Sequence, residues 1–341
     1  MKDNKENITI YFVGAPKMTP LTAVAITSIA LNTKSPLDIY ILDCDMAAND
    51  MRILQAHCAK YENIKNLRFI GIDCAEFEGC AKWSGSLSIW ARFLFPKLVP
   101  DVKKAIYLDS DLIAMGDIKT LWDLDLDGFA MAAGPEIHLV SPNYGGPSEF
   151  YKRLAALGLS EKHLYFCSGV LVLDCDKWRR KNLGDKVIEI GRQYGKTIIY
   201  PDQDALNILF GENKYKVIEA ELCATTSDAM FLEYEIPERF HDMQKQLVIR
   251  HYNFWKPWQA DQIVPHYGAS IPHADNFWHY AKLAGLADYF LFLQNKRDFS
   301  SRPPRFRLKL FGFIPLIRVE TRGRIKKIYL FNLIPLAKVK V

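Results

Sequence analysis

Two carboxylates, Asp109 and Asp111, stand on either side of Ser110 at the end of the apolar run Ala105-Ile-Tyr-Leu108. A backbone still extended there would turn both to the same side, because side chains alternate with a period of two. Placed together they repel. The charge is relieved either by solvent at a turn or by a divalent cation between them. The preceding run is wholly apolar, as in a parallel-sheet strand covered on both faces. Ligands of open α/β sheets gather at the carboxyl ends of such strands, so the pair is a candidate metal site. Other residues farther along also carry chemistry. Pro201-Asp-Gln-Asp204 reads as a helix start, where free backbone N–H groups favour polar and anionic groups. His251 closes the strand candidate Gln246–His251, and Lys256 lies in the aromatic loop after it. Taken singly, each has a plain reading. Gln203 and its neighbours can cap a helix, His251 can be a satisfied strand-end imidazole, and Arg92 can be half of a surface ion pair.

The elements that must position these groups alternate in type. Strand candidates at 8–13, 37–42 and 67–72 are separated by helical patterns at 20–32 and 47–61. A helix is expected from Leu87, broken near Pro96 and finished by Pro100. The strand before Asp109 follows, then a short helix capped by Asp117 and a strand at 129–133. The segment through Gly145-Gly-Pro147 reads as a loop able to act as a lid. Another buried strand is expected at 170–173 and a helix through Tyr194. This alternation predicts an α/β fold: a single Rossmann-like domain with a mostly parallel sheet and a nucleotide-sized crevice at its strand ends.

The chain has 341 residues, 49% hydrophobic and 24% charged, which suits one large globular domain with an appendage. No apolar run reaches the roughly 18 residues of a membrane span. The polar start lacks the apolar core of a signal peptide. Seven cysteines without zinc spacing fit a reducing cytosol. The net charge of +5 is uneven: Ser301 onward holds eleven Lys or Arg and one acid, Glu320, so the first 300 residues carry about −5. That balance argues against nucleic-acid binding by the body and points to the tail as the contact for an anionic surface.

Five ordered blocks carry a resemblance. Ala-Ile-Tyr-Leu-Asp-Ser-Asp, Leu-Trp-Asp-Leu-Asp-Leu, Phe-Cys-Ser-Gly-Val-Leu, Pro-Asp-Gln-Asp-Ala-Leu-Asn and His-Tyr…Lys-Pro-Trp span residues 105–258. With the first strands they resemble the retaining glycosyltransferases of family 8, the group of lipopolysaccharide galactosyl- and glucosyltransferases and glycogenin. The resemblance covers about residues 8–260 and implies a GT-A type domain. It implies that Asp109, Asp111 and His251 hold manganese (or magnesium), a set that also suits manganese by ligand chemistry. The ion would clamp the diphosphate of a UDP-hexose. It further implies that Lys256 contacts donor phosphate and that Arg92 lies against the donor sugar. Gln203, flanked by Asp202 and Asp204, would stand beside the anomeric carbon. Ser110 falls within the donor-binding motif. An amide is a poor nucleophile, so Gln203 is expected to stabilise an oxocarbenium-like centre while the acceptor attacks from the leaving-group face; Asp204 is the alternative nucleophile.

Four departures stand out. The family's Ala-Ala-Asp-x-x-Tyr is Val-Gly-Ala-Pro-Lys-Met here, so backbone groups of Val13, Gly14 and Ala15 are expected to replace the side chains that hold uridine. Cys167 stands where the family has Asn, Glu136 is the nearest match to its strand-end acid, and His251 is one residue closer to Lys256. The domains expected are a transferase domain at 1–270, a helical segment at 271–300 and a basic, apolar tail at 301–341. In that tail Lys309-Leu-Phe-Gly-Phe-Ile-Pro-Leu-Ile-Arg-Val repeats twenty residues later as Tyr329-Leu-Phe-Asn-Leu-Ile-Pro-Leu-Ala-Lys-Val. Pro315 and Pro335 exclude one continuous helix and favour short strands or hairpins. Such a tail contacts either a membrane surface or protein.

The resulting expectation is a metal-dependent retaining hexosyltransferase. It would take galactose or glucose from a UDP-sugar to a glycan or glycolipid acceptor, such as lipopolysaccharide or lipooligosaccharide, on the cytoplasmic face of a bacterial membrane. A metal-dependent nucleotidyl or phosphoryl transferase and a non-catalytic nucleotide-sugar-binding protein are the alternatives.

Overall fold

The computed structural model describes residues 7–259, 263–301, 305–310, 314–322, 325–330 and 334–340. The strands that build the site are β1 (Ile8–Gly14), β2 (Leu37–Asp43), β3 (Ile64–Gly71), β4 (Lys104–Leu108) and β5 (Leu112–Ala114), followed by β6 (Met131–Pro135), β7 (Phe166–Asp174), β8 (Lys216–Val217), β9 (Cys223–Thr225) and β10 (Ile249–His251). Seven of them form one sheet in the order β3-β2-β1-β4-β7-β6-β8. Neighbours run parallel from β3 to β4 and again between β6 and β8. β7 alone is reversed, antiparallel to both β4 and β6. The expected mostly parallel α/β sheet is thus present with one inverted strand.

Both faces of the central strands are covered, which is why β1, β4 and β7 read as nearly continuous apolar runs, whereas edge strand β3 is partly exposed. Ile10, Phe12, Ile106 and Leu108 enter one core with Ala23, Ile26 and Ile29 of helix Thr19–Asn32. Tyr11 and Tyr107, one residue out of phase, enter the other core with Trp90, Trp178 and Leu206. A smaller sheet, β5-β10-β9, lies beyond the end of β4. Its antiparallel pairing sets His251 opposite Leu112, one residue past Asp111.

Several local expectations shift. The Leu87 helix is a 3-10 segment, Ser88–Leu94, followed by one α turn, Phe95–Leu98; Pro96 sits in that first turn, where its missing N–H costs nothing. The segment read as a lid forms two 3-10 turns, Ile137–Val140 and Pro142–Tyr144, and then helix Gly146–Ala156. Gly145 supplies the left-handed turn (φ 94°) that starts this helix, and Pro147 lies in its first turn. The segment is pinned. Glu235 Oε1 accepts from Ser141 Oγ (2.5 Å), Asn143 Nδ2 (3.0 Å) and Tyr267 OH (2.7 Å). Helix Pro237–Gln246 runs into the expected last strand and shortens it to Ile249–His251.

The chain divides into two compact units, Met1–Pro257 with Ile263–Leu286, and Trp258–Gln262 with Ala287–Val341. In the second, strands Arg305–Leu310, Ile314–Arg322, Ile325–Leu330 and Ile334–Lys340 form an antiparallel sheet in sequence order. The sequence repeat is also a backbone repeat. Each hairpin has a register shift, after Leu308 and after Ile328, and each sets its proline opposite the residue following that shift.

Gly191, in helix Leu183–Tyr194, faces Trp90, whose 3-10 segment carries Arg92. A Cβ at Gly191 would lie 2.2 Å from the buried indole. Gly191→Ala should therefore destabilise the protein by about 1–3 kcal/mol through overpacking. The check is a lowered denaturant midpoint with altered tryptophan emission; an unchanged midpoint would mean that the ring moves aside freely.

Candidate active site

The reversal of β7 shapes the site. Because β7 runs against β4, its first residues, Cys167 to Gly169, lie beside the last residues of β4. Asp109 N donates to Gly169 O (2.8 Å). Gly169 has no substitute here, since a Cβ would lie 2.4 Å from the His251 ring and 2.8 Å from Asp109 Oδ2. On the other side, Tyr252 N donates to Asp111 O (2.9 Å) and so extends the β5–β10 pairing to the second carboxylate.

These contacts bring Asp109, Asp111 and His251 together, with one ligand atom from each all within 4.8 Å of one another. His251 Nε2 is 3.1 Å from Asp111 Oδ1 and 3.6 Å from Asp109 Oδ2. Two carboxylates and an imidazole aimed at one point form a set that could hold a divalent ion. The other ring nitrogen, Nδ1, lies 3.7 Å from Cys167 Sγ, which helps to fix the ring. Burial pushes the Cys167 thiol well above its ordinary pKa, so it is a neutral neighbour and no thiolate ligand.

Fixed cations balance the carboxylates. Lys256 Nζ pairs with Asp111 and donates to Tyr252 O (2.6 Å). Burial works against ionisation of Asp111, but Lys256 and His251 outweigh it and hold the carboxyl well below its usual range. Arg92 is buried and lies 3.2 Å from both Asp109 and Asp202, with its guanidinium stacked over Tyr107. Burial opposes its charge; Asp109 and Asp202 prevail and raise its pKa. Arg92 therefore joins the two acidic segments, and it also borders the cleft.

Helix Pro201–Leu209 presents the third group. Gln203 Oε1 accepts from Ser168 N (3.1 Å) and its Nε2 donates to Glu136 Oε2 (3.1 Å). Asp202 accepts from Ser168 Oγ (2.9 Å). Burial raises the pKa of Glu136 and of Asp202. A cleft of about 360 Å³ is bordered by Arg92, Glu136, Cys167, Asp202, Gln203 and Lys256, together with the three candidate metal ligands. That places nine of the expected site residues in one cavity.

The remaining five lie elsewhere. Asp204 points away from the cleft, and its two oxygens accept from Arg153 Nη2 (2.7 Å), Tyr165 OH (2.5 Å), Ile199 N (2.8 Å) and Tyr200 N (2.9 Å). A carboxylate saturated by four donors is no nucleophile; it ties the helix start to the body. Ser110 faces the opposite side from Asp109, as the strand period requires, with its hydroxyl 2.9 Å from Thr22 Oγ1. Val13 and Gly14 close β1, and Ala15 follows it; none of the three borders the cavity. A Cβ at Gly14 would lie 2.3 Å from Met46 Sδ, so close packing against β2 and its loop accounts for this glycine.

Sequence reasoning missed Tyr107, Ser168, Tyr200 and Phe254. Tyr107 OH donates to Asp109, and its place two residues earlier on the same strand was a readable signal. Ser168 meets Arg92, Asp202 and Gln203 only because β7 is reversed, which no local pattern announces.

Comparison with known proteins gives the family and the fold. The family model described as Glycosyl transferase family 8 matches residues 10–262. A putative glycosyltransferase of Haemophilus influenzae is 27% identical over 256 residues, covering 73% of each chain. A lipopolysaccharide 1,2-glucosyltransferase of Escherichia coli is 28% identical, covering 71% of this chain and 70% of its own. Among solved structures, the galactosyltransferase LgtC in complex with donor and acceptor sugar analogues superposes with a TM-score of 0.65 at 24% identity. That match covers 82% of this chain and 95% of the other.

Two outcomes follow from the electrostatics. Asp204→Ala leaves Arg153 uncompensated and should cost about 3–5 kcal/mol of stability, whereas Gln203→Ala should cost less than about 1.5 kcal/mol; denaturation midpoints compare the two. Because the folded pKa of Asp111 is depressed, its stabilisation is fully present above roughly pH 4 and is lost as pH falls further. In EDTA-treated protein the stability difference between wild type and Asp111→Asn should therefore shrink below about pH 4.

Proposed function

Because the chain belongs to glycosyltransferase family 8, we propose that it is a metal-dependent, retaining hexosyltransferase. It moves galactose or glucose from a UDP-sugar to a bacterial surface glycan of the lipopolysaccharide or lipooligosaccharide kind. The observation that carries this reading is the convergence of Asp109, Asp111 and His251 beside Lys256 and Gln203 in one cleft. Manganese held by the triad would supply Lewis-acid charge to the departing diphosphate. The lipopolysaccharide glucosyltransferase among the relatives supports the acceptor class.

The residues around the cleft favour attack on the leaving-group face. A double displacement needs a free carboxylate beside the anomeric carbon. Asp204 is saturated, Asp202 is engaged by Arg92 and Ser168, and Glu136 is buried against Gln203 with a raised pKa. Gln203 is held at both ends of its amide and offers a fixed dipole for charge developing on the sugar. Lys256, held beside the cleft by Asp111 and Tyr252 O, offers a cation for donor phosphate.

The basic tail would hold the enzyme at an anionic, cytoplasmic membrane face. Its strand register gives Arg305, Arg307, Arg318, Arg322, Lys327, Lys338 and Lys340 positions on one face of the sheet, with Glu320 as the acid among them. Each basic residue near such a leaflet contributes about 1 kcal/mol. Among the described residues no helix is long and apolar enough to cross a membrane.

The test is release of UDP from a panel of UDP-hexoses in the presence of manganese. Turnover should stop with EDTA, return with added metal, and fall at least about a hundredfold in Asp109→Asn and Gln203→Ala. Release of phosphate or pyrophosphate in place of UDP would make the enzyme a phosphoryl or nucleotidyl transferase. Joint binding of nucleotide sugar and metal without turnover would make it a binding protein.

A further inference from the structure

A second cavity of about 370 Å³ adjoins the cleft, and Tyr200 and Phe254 border both. The short segment after β6 also serves the two together, with Glu136 in the cleft and His138 in the second cavity. The second cavity is aromatic. Tyr144 lies 4.6 Å from the His138 ring and 4.8 Å from His266, and Trp255 lies 5.7 Å from His266, edge to face. Its half-buried arginine is balanced in charge, since Arg153 is paired with Asp204 and stacked on Tyr165 and Tyr200, while its Nε is a donor without a hydrogen-bond partner.

His138 is set into this wall by a dedicated partner. Asp228 is buried, and its Oδ1 accepts from the His138 ring Nδ1 (2.8 Å) and from the His138 backbone N (3.1 Å). Its Oδ2 accepts from Thr225 Oγ1 (2.6 Å). The imidazole is thus fixed in orientation, with Nδ1 committed, and Nε2 is the ring atom left to meet a ligand. In either protonation state Nε2 can bond a hydroxyl, which both donates and accepts.

We propose that this cavity receives the acceptor as a neutral pyranoside, its ring packed on the Tyr144 and Trp255 side chains and one hydroxyl read by His138 Nε2. His138 is then a specificity-determining residue and Asp228 the residue that positions it. The reading rests on the hexosyltransferase function above. A volume of this size lies within the range of small-ligand sites. Aromatic rings offer apolar faces to the C–H bonds of a sugar, while one fixed polar group sets its orientation. An anionic acceptor is disfavoured, because the charge of Arg153 is already balanced by Asp204 and the Glu149 carboxylate also lines the cavity.

The experiment uses the full chain with manganese and whichever UDP-hexose it hydrolyses fastest. Lactose and a panel of methyl hexopyranosides serve as acceptor probes. In wild type at least one probe should raise UDP release above the acceptor-free rate in a saturable way. His138→Ala should raise the KM for that probe about tenfold or more and lower the ratio of acceptor-dependent to acceptor-free release by a similar factor. His138→Gln, which retains a polar atom, should recover part of the loss, and Trp255→Ala, also in the cavity lining, should act in the same direction. Unchanged acceptor KM in both His138→Ala and Trp255→Ala overturns the proposal. So does a panel in which no neutral probe raises UDP release while acceptor-free release persists. Loss of acceptor-free release in wild type would instead count against the transferase reading itself.

Discussion

Two carboxylates forced onto one side of a strand end are the constraint around which this molecule is arranged. Left alone, Asp109 and Asp111 would repel across a partly buried space. Each is matched to a different cation in the protein itself, Asp109 to Arg92 and Asp111 to Lys256, with His251 between them. Pairing with Lys256 and His251 keeps Asp111 ionised. The pairing of Asp109 also links the candidate metal ligands to the rest of the site, because Arg92 simultaneously holds Asp202, next to Gln203. A change at the strand end is therefore felt at the helix start by way of one guanidinium.

The geometry that makes this possible is the inverted strand. A fully parallel sheet would put the start of β7 at the far end of β4. Reversal instead lays Cys167, Ser168 and Gly169 along the carboxylates, and the missing side chain at Gly169 admits the His251 ring. Ser168 then serves three partners with its N–H, carbonyl and hydroxyl. Close packing at this point is intolerant of added atoms, as expected of an interior filled to native density.

Legibility in the sequence followed the range of the interaction. The central strands and their order along the chain were readable because both their faces are buried and their apolar runs are nearly continuous. Asp109, Asp111, His251, Gln203 and Lys256 were readable because ordered motifs announced them. The direction of β7 was not, since an apolar run carries no arrow. Asp204 illustrates the opposite failure. It stands one residue from Gln203 in a motif rich in acid, yet helical rotation sends its oxygens to Arg153, Tyr165 and two backbone N–H groups. Asp228 and His138 are ninety positions apart, and neither stretch carried a pattern that joined them.

The twenty-residue repeat at the chain end has a separate consequence. Since the register shift and the proline recur in each copy, one hairpin is a complete unit of construction. Gene duplication could lengthen or shorten the sheet by whole units while preserving the alternation of its faces, as in other tandem arrays. Each added copy would then extend the basic sheet without adding residues to the compact unit that holds the cleft.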